Sequence, residues 1–578
     1  MKVLLIKPPN IGFYHEIVRF YPVGLGYLAS CLIHDGHDVK IFDSLVYTQD
    51  NCVINRSDKL SSGQFQKMNE HPLWSFLIRW GSSYNRILEY IRCFTPDIIG
   101  ITAMHTPMYD TAYELVDIIK KSFPSIVVIM GGPHATIEFN HVLENTKTDY
   151  VMLGEGEPII NTLVKYIAEN KKPYDIPGIA FKDEGNIIVN QKQFWVENLD
   201  ELYFPSANLL SLDKYDAVTI ITSRGCPNNC KFCTIHPTMG YRFRPRTPNN
   251  VVEEIKMYVK QYGIKKFDIE DDNFLRDKKR AEAILDLIIS ENLNIELNFL
   301  NGLTVTNLDE NIIQKMCLAG FNESFLGLET TSDKRRKELN KEFSSTDKVL
   351  LCQNTFRKYG KNIGASLIIG FPDQNINEMI DDIVNFIING IEFGTANPCY
   401  PIPKSQLFYD CEQEGLIIDK DFTWFDEFNF PLETNQFTRK NICDLWLCSM
   451  AYDYYPKIFE ILLIKHYISI FELSTLFKQY NYGELYTNND GVIFKPNLEH
   501  TYSYIQKVTE SNENDLLYID VMNGKIISIL LYCCCREKFT FEQVESILDY
   551  STKDVFFLRS TDYGDYMIID KFIKRLLQ

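Results

Sequence analysis

The 578-residue sequence predicts an α/β protein with three consecutive structural regions. Short apolar runs alternate with amphipathic helical patterns over residues 1–195 and again over residues 213–430, which is typical of parallel sheets covered by helices. The first set predicts a doubly wound, Rossmann-like domain, and the second predicts a partial, TIM-like (βα)6 barrel. Residues 196–212 are predicted to link the two, and residues 431–578 to form a helical and winged-helix-like α+β region.

The composition limits the classes of function. A formal net charge of −18 argues against nucleic acid or an anionic membrane surface as the main partner. No run of 18 apolar residues occurs, and Met1–Ile6 runs directly into a predicted strand, so neither a membrane span nor a secretory leader is predicted. Fifteen cysteines without such a leader favour reduced thiols and a cytoplasmic location over a disulfide scaffold.

Five apolar runs predict the parallel strands of the first region. They are Val3–Ile6, Val39–Phe42, Ile98–Ile101, Ile126–Met130 and Tyr150–Leu153. Three glycine-containing segments follow such runs, namely Gly100-Ile101-Thr102, Gly131-Gly132-Pro133-His134 and Gly154-Glu155-Gly156-Glu157. Ligands of these sheets bind beyond the carboxyl ends of the strands, and glycines allow a bulky ligand to approach the backbone. No GxGxxG is present, and a mononucleotide or a redox partner satisfies the pattern equally, so the residues alone predict only a ligand site.

Six apolar runs predict the strands of the barrel. They are Val218–Thr222, Phe267–Ile269, Ile295–Phe299, Ser324–Leu328, Ala365–Ile369 and Gly394–Pro398. The amphipathic helices between them end near Gly263, Gly320, Gly360 and Gly390. In such a barrel the reactive groups lie at the carboxyl ends of the strands.

Three cysteines after the first of these strands form the most specific motif of the chain. Cys226, Cys230 and Cys233 lie within eight residues, and thiolates are ligands for iron–sulfur clusters and zinc. Three thiolates can hold three corners of a cubane cluster and leave the fourth iron open. A zinc site needs a fourth Cys or His in a paired arrangement; His236 is close, but Pro237 follows it and no second CxxC occurs. The motif therefore favours a 4Fe–4S cluster.

The CxxxCxxC spacing, with Phe232 before the last cysteine, resembles the signature of the radical S-adenosylmethionine (radical SAM) enzymes. In that family the open iron binds the amino and carboxylate groups of SAM. Residues 21–29, the Gly-Gly-Pro-His turn and the Gly-Glu-Gly-Glu turn resemble the cobalamin-binding domain that is fused to some of these enzymes. The chain is thus similar to the cobalamin-dependent radical SAM enzymes, class B methyltransferase-like, over residues 1 to about 430.

The resemblance implies three sets of cofactor-binding residues. The cluster is implied to be held by Cys226, Cys230 and Cys233. SAM is implied to contact Phe232, Asp272, Glu329, Gly370 and Arg246. Cobalamin is implied to contact Gly24, Thr102, Gly131, Gly132, Pro133, Gly154, Glu155 and Gly156. The DxHxxG motif of histidine-ligated cobalamin is absent, which implies a cobalamin without a histidine on cobalt.

Several strand ends of the barrel carry further candidates. Glu270-Asp271-Asp272-Asn273 stands where many radical SAM enzymes have Gly-Gly-Glu, which contacts the amino group of SAM. Glu329 ends the fourth strand, and a solvated carboxylate is its alternative reading. Cys399 and Tyr400 follow the sixth strand as catalytic candidates, with plain lining of the cavity as the alternative.

After residue 430 the barrel pattern ends. Residues 431–480 predict aromatic-rich helices, and the rest predicts a winged-helix-like order of strands and helices. Its elements are strands at Val492–Phe494 and Leu516–Ile519, a helix from Gly524 to Cys535 and a second helix capped at Thr540–Gln543. The order is weakly similar to small peptide-recognition domains, so docking of a peptide and closure of the barrel mouth are both open.

The resemblance implies a methyltransferase (EC 2.1.1.-) that methylates an unactivated carbon through a 5′-deoxyadenosyl radical and methylcobalamin. Oxidative cyclisation or ring contraction is the alternative within the family, and a non-catalytic cobalamin-binding sensor is the alternative from another class. The expected partners are a small-molecule or peptide substrate and an electron donor such as flavodoxin or ferredoxin, without nucleic acid or membrane.

Overall fold

The computed structural model describes residues 1–12, 19–47, 78–191, 195–388, 391, 396–417, 432–439, 442, 483–488 and 491–496. Within this part of the chain, two sheets of mainly parallel strands form the centres of two α/β domains. The predicted strand Leu516–Ile519 and both predicted helices of the winged-helix-like region lie outside the described residues.

The amino-terminal domain is a doubly wound sheet. Its strands are β1 (Lys2–Lys7), β2 (Asn10–Gly12), β3 (Asp38–Asp43), β4 (Ile78–Trp80), β5 (Ile98–Thr102), β6 (Val127–Gly131), β7 (Tyr150–Met152), β8 (Ile179–Asp183) and β9 (Asn186–Val189). Its helices are α1 (Val23–His34), α2 (Tyr84–Phe94), α3 (Tyr109–Ser122), α4 (Pro133–Ile137), α5 (Phe139–Asn145) and α6 (Ile160–Ala168). Seven of the strands form one sheet in the order β3-β1-β5-β6-β7-β8-β9, while β2 and β4 pair separately.

The five predicted parallel strands of this domain are confirmed as β1, β3, β5, β6 and β7. Along β1, Leu4 and Ile6 pack into one apolar cluster and Val3 and Leu5 into another, so the sheet is buried on both faces. Strand β1 pairs with β3 on one side and with β5 on the other. This reversal of strand order places a ligand crevice at the carboxyl ends of β1 and β5.

The sheet ends in an antiparallel hairpin that the alternation of strands and helices did not predict. Strand β8 pairs antiparallel with both β7 and β9. The turn between β8 and β9 contains Glu184 and Gly185, both at positive φ, which is the backbone geometry of a tight hairpin.

The second domain is the predicted partial barrel. Its strands are β10 (Val218–Ile220), β11 (Ser223–Arg224), β12 (Arg244–Pro245), β13 (Lys266–Ile269), β14 (Glu296–Leu303), β15 (Phe321–Glu329), β16 (Gly364–Ile369) and β17 (Ala396–Pro398). Its helices are α7 (Ile235–Met239), α8 (Pro248–Tyr262), α9 (Lys278–Ser290), α10 (Glu310–Leu318), α11 (Asp333–Glu338), α12 (Thr346–Lys358), α13 (Ile376–Ile388) and α14 (Gln406–Gln413).

Six of these strands form one parallel sheet in the order of the chain, β10-β13-β14-β15-β16-β17, which confirms the six predicted barrel strands. The cysteine loop therefore follows the first barrel strand and is enclosed by the short antiparallel pair β11–β12. Helix α8 shows how the sequence sets the boundaries: Thr247 caps its start by accepting a hydrogen bond from the Asn250 N–H, and Gly263 ends it at a φ of +70°.

The two domains meet at the side that carries the glycine turns and the cysteine loop. Helix α4, which begins in the Gly-Gly-Pro-His turn, packs against α7, which follows the cysteine loop. Tyr21 and Tyr258 join the domains through their hydroxyl groups at 3.0 Å. Gly26 of α1 lies so close to Pro205 that an added Cβ would be 2.8 Å from the Pro205 Cβ.

Beyond the barrel, β18 (Gly483–Asn488) and β19 (Gly491–Pro496) form an antiparallel hairpin, and the predicted strand Val492–Phe494 lies within β19. Among the helices in the described part of the chain, none combines the length and apolar character needed to cross a bilayer.

Candidate active site

The cysteine loop brings three free thiols together at the end of β10. Cys226 is buried, and Cys230 and Cys233 are half-buried. Burial, together with the neighbouring Cys233 and Cys226, raises the pKa of the Cys230 thiol to about 12, although Lys341 lowers it. Gly225 enters the loop at a φ of +82°, and an added Cβ there would lie 2.3 Å from the Arg242 carbonyl oxygen. Glycine is therefore required immediately before the first cysteine.

This donor set fits a cubane cluster. In the residues that the structure describes, no group of three or more His, Cys, Asp or Glu side chains converges on one ion position. A cubane cluster distributes its thiolate ligands over separate irons. Three thiolates on one loop match three corners of such a cluster and leave one iron without a protein ligand.

Two adjacent carboxylates at the end of β13 contact the start of the cysteine loop. Asp271 accepts hydrogen bonds from the backbone N–H groups of Thr222 at 2.6 Å and Ser223 at 3.0 Å, and from both of their hydroxyl groups. Asp272 accepts a hydrogen bond from the Gly225 N–H at 2.7 Å. Burial raises the pKa of the Asp272 carboxyl to about 7, and burial, with a smaller contribution from Asp272, raises the pKa of the Cys226 thiol. Asp271 thus holds the loop in place, while Asp272 lies beside the cysteines.

Glu329 lies at the end of β15 in a strained conformation. Its φ is +69°, and the pairing of β15 with β16 shifts register between Gly327 and Glu329. The Glu329 carboxylate is buried in an ion pair with Lys341. The Lys341 ammonium lies 5.4 Å from the centre of the Phe232 ring in the cysteine loop. The structure therefore brings the predicted residues Glu329 and Phe232 together and adds Lys341.

Sequence reasoning missed Lys341 because it lies beyond α11, outside any strand end. Its neighbours fix its position: Asn340 donates a side-chain hydrogen bond to the Asn229 carbonyl oxygen at 2.9 Å, and the Lys231 N–H donates to the Leu339 carbonyl oxygen at 3.2 Å. This segment therefore packs directly against the cysteine loop. No spacing in the sequence indicates that contact.

The Arg246 side chain is buried between the barrel strands and helix α8. Its guanidinium forms an ion pair with Glu254 and donates to the Ile221 carbonyl oxygen at 2.9 Å and to the Asn250 side-chain oxygen at 2.6 Å. These contacts support a structural role for Arg246, in which it joins β12 to α8.

Gly370 ends β16 at a φ of +82°, and its N–H donates to the Gln374 side-chain oxygen at 2.9 Å. The Gln374 amide in turn donates to Asp382 at 3.2 Å, and Asp382 accepts from Thr330 and from Thr331. This chain of hydrogen bonds ties the end of β15 to the end of β16. Gln374 and Asp382 lie in or before α13, and no motif predicted them.

The two predicted catalytic candidates follow β17. Cys399 is buried near Cys411, and burial raises the pKa of its thiol well above the ordinary value. Its N–H donates to the Ile369 carbonyl oxygen at 2.7 Å. Tyr400 is half-buried. A neutral, buried thiol is a poor nucleophile, so this geometry supports the alternative in which Cys399 packs the barrel end.

The glycine turns of the amino-terminal domain interlock at one edge of its sheet. Ala103, after Thr102, donates its N–H to the Gly131 carbonyl oxygen at 2.8 Å. The Thr136 hydroxyl donates to the Gly132 carbonyl oxygen at 2.9 Å and accepts from the Gly154 N–H at 2.8 Å. Thr136, which sequence reasoning missed, therefore joins the turns that follow β6 and β7.

This edge is open where a flat ligand would approach it. Among the described residues, a Cβ added at Gly131 would contact only Met152 atoms, at 3.8 Å, and one added at Gly24 in α1 would meet no atom within 4 Å. Pro133 begins α4 at the same edge. Gly156 packs on α1, where an added Cβ would lie 2.9 Å from a Leu28 methyl carbon. The open backbone at Gly131 and Gly24 fits the cobalamin that the resemblance implies.

Two other residues of these turns have protein partners. His134 is buried, its Nε2 lies 3.2 Å from the Tyr113 hydroxyl, and burial lowers the pKa of its imidazole to about 3. The Glu155 carboxylate is buried in ion pairs with Arg224 and Arg244 of the barrel. The first arrangement gives His134 a partner within its own domain, and the second places Glu155 at the contact between the domains.

Comparisons with known proteins agree with this architecture. Residues 76–164 match the B12 binding domain, and residues 220–387 match the radical SAM superfamily. An uncharacterised methyltransferase of Pyrococcus horikoshii is 29% identical over 454 residues, 77% of this chain and 90% of that protein. The cytidylyl-2-hydroxyethylphosphonate methyltransferase of Streptomyces wedmorensis is 25% identical over 458 residues, 72% of this chain and 82% of that protein.

A solved structure shows the same fold. The cobalamin-dependent S-adenosylmethionine radical enzyme OxsB, with aqua-cobalamin and S-adenosylmethionine bound, superposes with a TM-score of 0.62 at 15% identity, over 99% of this chain and 80% of OxsB. The chain thus carries a match to the B12 binding domain followed by a match to the radical SAM superfamily, with the cysteine loop at the end of the first barrel strand, and in this order of domains it is similar to the cobalamin-dependent radical SAM enzymes.

Proposed function

We propose that this enzyme methylates an unactivated carbon of a small-molecule or peptide substrate. The observation that carries the proposal is the packing of α4, which begins in a cobalamin-domain turn, against α7, which follows the cysteine loop. This contact supports a common location for the two cofactors on one side of the molecule. When bound there, the cluster supplies the electron for cleavage of SAM, and cobalamin supplies the methyl group. Both relatives described above carry the name methyltransferase.

The residues around the cysteine loop can bind the polar end of SAM. Asp272 and Glu329 offer carboxylates to an ammonium group, and Lys341 offers an ammonium to a carboxylate. Charge-assisted hydrogen bonds of this kind are stronger and more directional than neutral ones. Because Glu329 and Lys341 already pair with each other, their side chains are held in place before SAM binds, which reduces the entropy lost on binding.

The protein's other contribution is placement. Asp271 fixes the start of the cysteine loop, and the Gln374–Asp382 pair fixes the ends of β15 and β16. These contacts hold the strand ends that face the bound cofactors. A substrate carbon must lie within contact distance of the reacting groups, and rigid strand ends make that placement reproducible.

The test uses the full chain, reconstituted without oxygen with iron, sulfide and cobalamin and supplied with a reductant. SAM with a deuterated methyl group is added together with extracted metabolites or peptides, and mass spectrometry follows 5′-deoxyadenosine and the label. We expect 5′-deoxyadenosine release and transfer of the deuterated methyl group to an extract component. A variant with Cys226, Cys230 and Cys233 replaced by alanine should show neither.

The alternative functions give different results in the same assay. A product that has lost hydrogen without gaining label would indicate oxidative cyclisation or ring contraction. If protein with its cluster and cobalamin releases no 5′-deoxyadenosine under any condition, a non-catalytic cobalamin-binding role replaces the proposal.

A further inference from the structure

Four buried charged residues connect the cobalamin-binding domain to the cysteine loop. Glu155 and Glu157 lie in the turn after β7, Arg224 lies in β11 two residues before Cys226, and Arg244 lies in β12. Arg244 contacts the Glu155 carboxylate at 2.7 Å, and Arg224 contacts Glu155 at 3.3 Å and Glu157 at 2.7 Å. We call these four residues the interdomain ion-pair group.

The group is removed from water. The side chains of Glu155, Arg244 and Arg224 are 1%, 2% and 5% exposed. Arg224 lies over the Tyr27 ring of α1 at 5.3 Å, and Arg244 lies over the Trp195 ring at 5.3 Å. Two carboxylates and two guanidinium groups balance one another in charge, so no uncompensated charge is buried.

Burying four charged side chains contributes little net stability, because each must lose its hydration. Desolvating charged groups offsets most of their mutual attraction, and apolar residues of similar volume often stabilise a protein equally well. The directional demands of the guanidinium groups instead favour one arrangement of the bonded segments.

The Glu155 carboxylate contacts three separate segments. It accepts a hydrogen bond from the Val196 N–H at 2.7 Å, at the start of the connection between the domains. It also binds Arg224 and Arg244, one from each strand of the ribbon that encloses the cysteine loop. Glu155 itself follows Gly154, whose N–H donates a hydrogen bond to Thr136 at the sheet edge that carries the glycine turns. The Glu155 carboxylate thus links the glycine turns at the edge of the amino-terminal sheet to both ends of the cysteine loop.

We propose that Glu155, with Arg224 and Arg244, is a positioning residue that sets the separation and orientation of cobalamin relative to the 4Fe–4S cluster. This inference rests on the proposed function, in which both cofactors serve one reaction. A reaction that uses two cofactors in turn loses efficiency when their separation changes by about 1 Å. Loss of the group is expected to leave each cofactor bound and to uncouple their action.

The test compares Glu155→Gln with the full wild-type chain, each loaded with cluster and cobalamin. Electron paramagnetic resonance of the doubly paramagnetic state, cob(II)alamin with reduced cluster, reports their separation through the magnetic interaction of the two spins. We expect Glu155→Gln to keep both cofactors, to show a weaker or more heterogeneous interaction, and to release about five to ten times more 5′-deoxyadenosine per transferred methyl group.

The chain offers a matched control. Arg242 and Glu197, which lie close to Arg244 and Val196 in the chain, form an ion pair, but their side chains are 76% and 61% exposed. Exposed pairs contribute little to structure. Glu197→Gln is therefore expected to leave both the magnetic interaction and the product ratio at wild-type values.

Conservative variants keep the test decisive if Glu155→Gln does not fold. Arg244→Lys and Arg224→Lys retain the charge but lose the planar fork of donors, and we expect a smaller change in the same direction. Wild-type spectra and ratios in these variants would refute the positioning role and leave the proposed function intact. Joint loss of cluster and cobalamin in every variant would also refute it, since the group would then serve folding alone. Failure of the proposed function would appear separately, as absence of methyl transfer in the wild-type chain.

Discussion

Glu329 and Lys341 form a buried ion pair next to the cysteine loop, and the Glu329 backbone is held at a φ of +69°. Such a conformation costs a residue with a side chain about 1–3 kcal/mol, and it persists only where the surroundings determine it. The sequence predicted Glu329 because a carboxylate at a barrel strand end is visible in the pattern. It did not predict Lys341, because the pairing depends on how the segment after α11 folds back.

Replacing Lys341 with methionine is expected to lower the free energy of unfolding by about 3 kcal/mol, because a buried carboxylate loses its partner. Binding of SAM should weaken about tenfold or more, since the site loses its cation. Anaerobic denaturation and equilibrium dialysis with labelled SAM measure the two effects. In the double variant Lys341→Met with Glu329→Gln, stability should largely return while SAM affinity stays low. Recovery of both would show that the pair is structural only.

The neighbouring glycines 131 and 132 have different surroundings, although the sequence predicted the same role for both. A Cβ at Gly132 would lie 2.6 Å from the Ala103 carbonyl oxygen, at a φ of +105°, whereas one at Gly131 would contact Met152 alone, at 3.8 Å, within the part of the chain that the structure describes. Replacement of Gly132 therefore strains the protein itself. A substitution at Gly131 therefore tests the approach of cobalamin with less strain on the protein.

Gly131→Val is expected to fold and to retain four irons per chain, while its cobalamin affinity falls about tenfold or more because the side chain occupies the open edge. Cobalt analysis and the visible absorbance of cobalamin provide the measurement. Gly132→Ala should lower the melting temperature in addition. Wild-type cobalamin content in Gly131→Val would place the ligand elsewhere.

Strands β10 and β13 are joined at their carboxyl ends by Asp271, which accepts four hydrogen bonds from Thr222 and Ser223. The start of the cysteine loop is thereby fixed to the neighbouring strand. Asp268 lies on the same strand but accepts only from the Asn298 amide at 2.8 Å among the contacts of the described residues. The two carboxylates therefore form a matched pair for mutation.

Asp271→Asn is expected to lower the free energy of unfolding by about 2 kcal/mol and to reduce the iron content, because one carbonyl oxygen cannot replace two carboxylate oxygens. Iron analysis and thermal unfolding under anaerobic conditions check both effects. Asp268→Asn, by contrast, should retain the wild-type iron content. Equal iron loss in both variants would mean that strand β13, and not Asp271, carries the effect.

The parallel strands of both domains were predictable because each is an apolar run and helical patterns lie between these runs. The β8–β9 hairpin was not, because its apolar signal is short: only Ile179–Phe181 of β8 are buried, and no residue of β9 is buried. Gln374 and Asp382 were missed for a related reason. Their hydrogen bonds connect different elements, and nothing in the local sequence marks the partner.

At the scale of the whole molecule, the order of the two domains was predictable and their contact was not. The contact depends on residues far apart in the chain, such as Glu155 with Arg244 and Tyr21 with Tyr258. Each of these residues has an ordinary local role in its own turn, strand or helix. The winged-helix-like reading of the carboxyl-terminal region, with its peptide-docking role, stays a prediction.

Glu138 provides a pH-dependent probe of this contact. It lies between α4 and α5, near Lys404 and Glu412 from the far end of the barrel. Burial raises the pKa of the Glu138 carboxyl to about 7, although Lys404 lowers it. Because the unfolded carboxyl titrates at about 4.3, the folded state binds more protons between these values. Stability from this group is therefore present at low pH and is lost as the pH rises toward 7.

Glu138→Gln is expected to remove this pH dependence. Between pH 5.5 and pH 8, the melting temperature of the wild-type protein should fall relative to that of the variant by a few degrees at most, equivalent to about 1 kcal/mol after screening by solvent. Thermal unfolding of both proteins at several pH values measures the difference. Glu144→Gln, at an exposed position of α5, should leave the wild-type pH dependence unchanged. Parallel curves for Glu138→Gln and wild type would show that the Glu138 carboxyl stays solvated where the two domains meet.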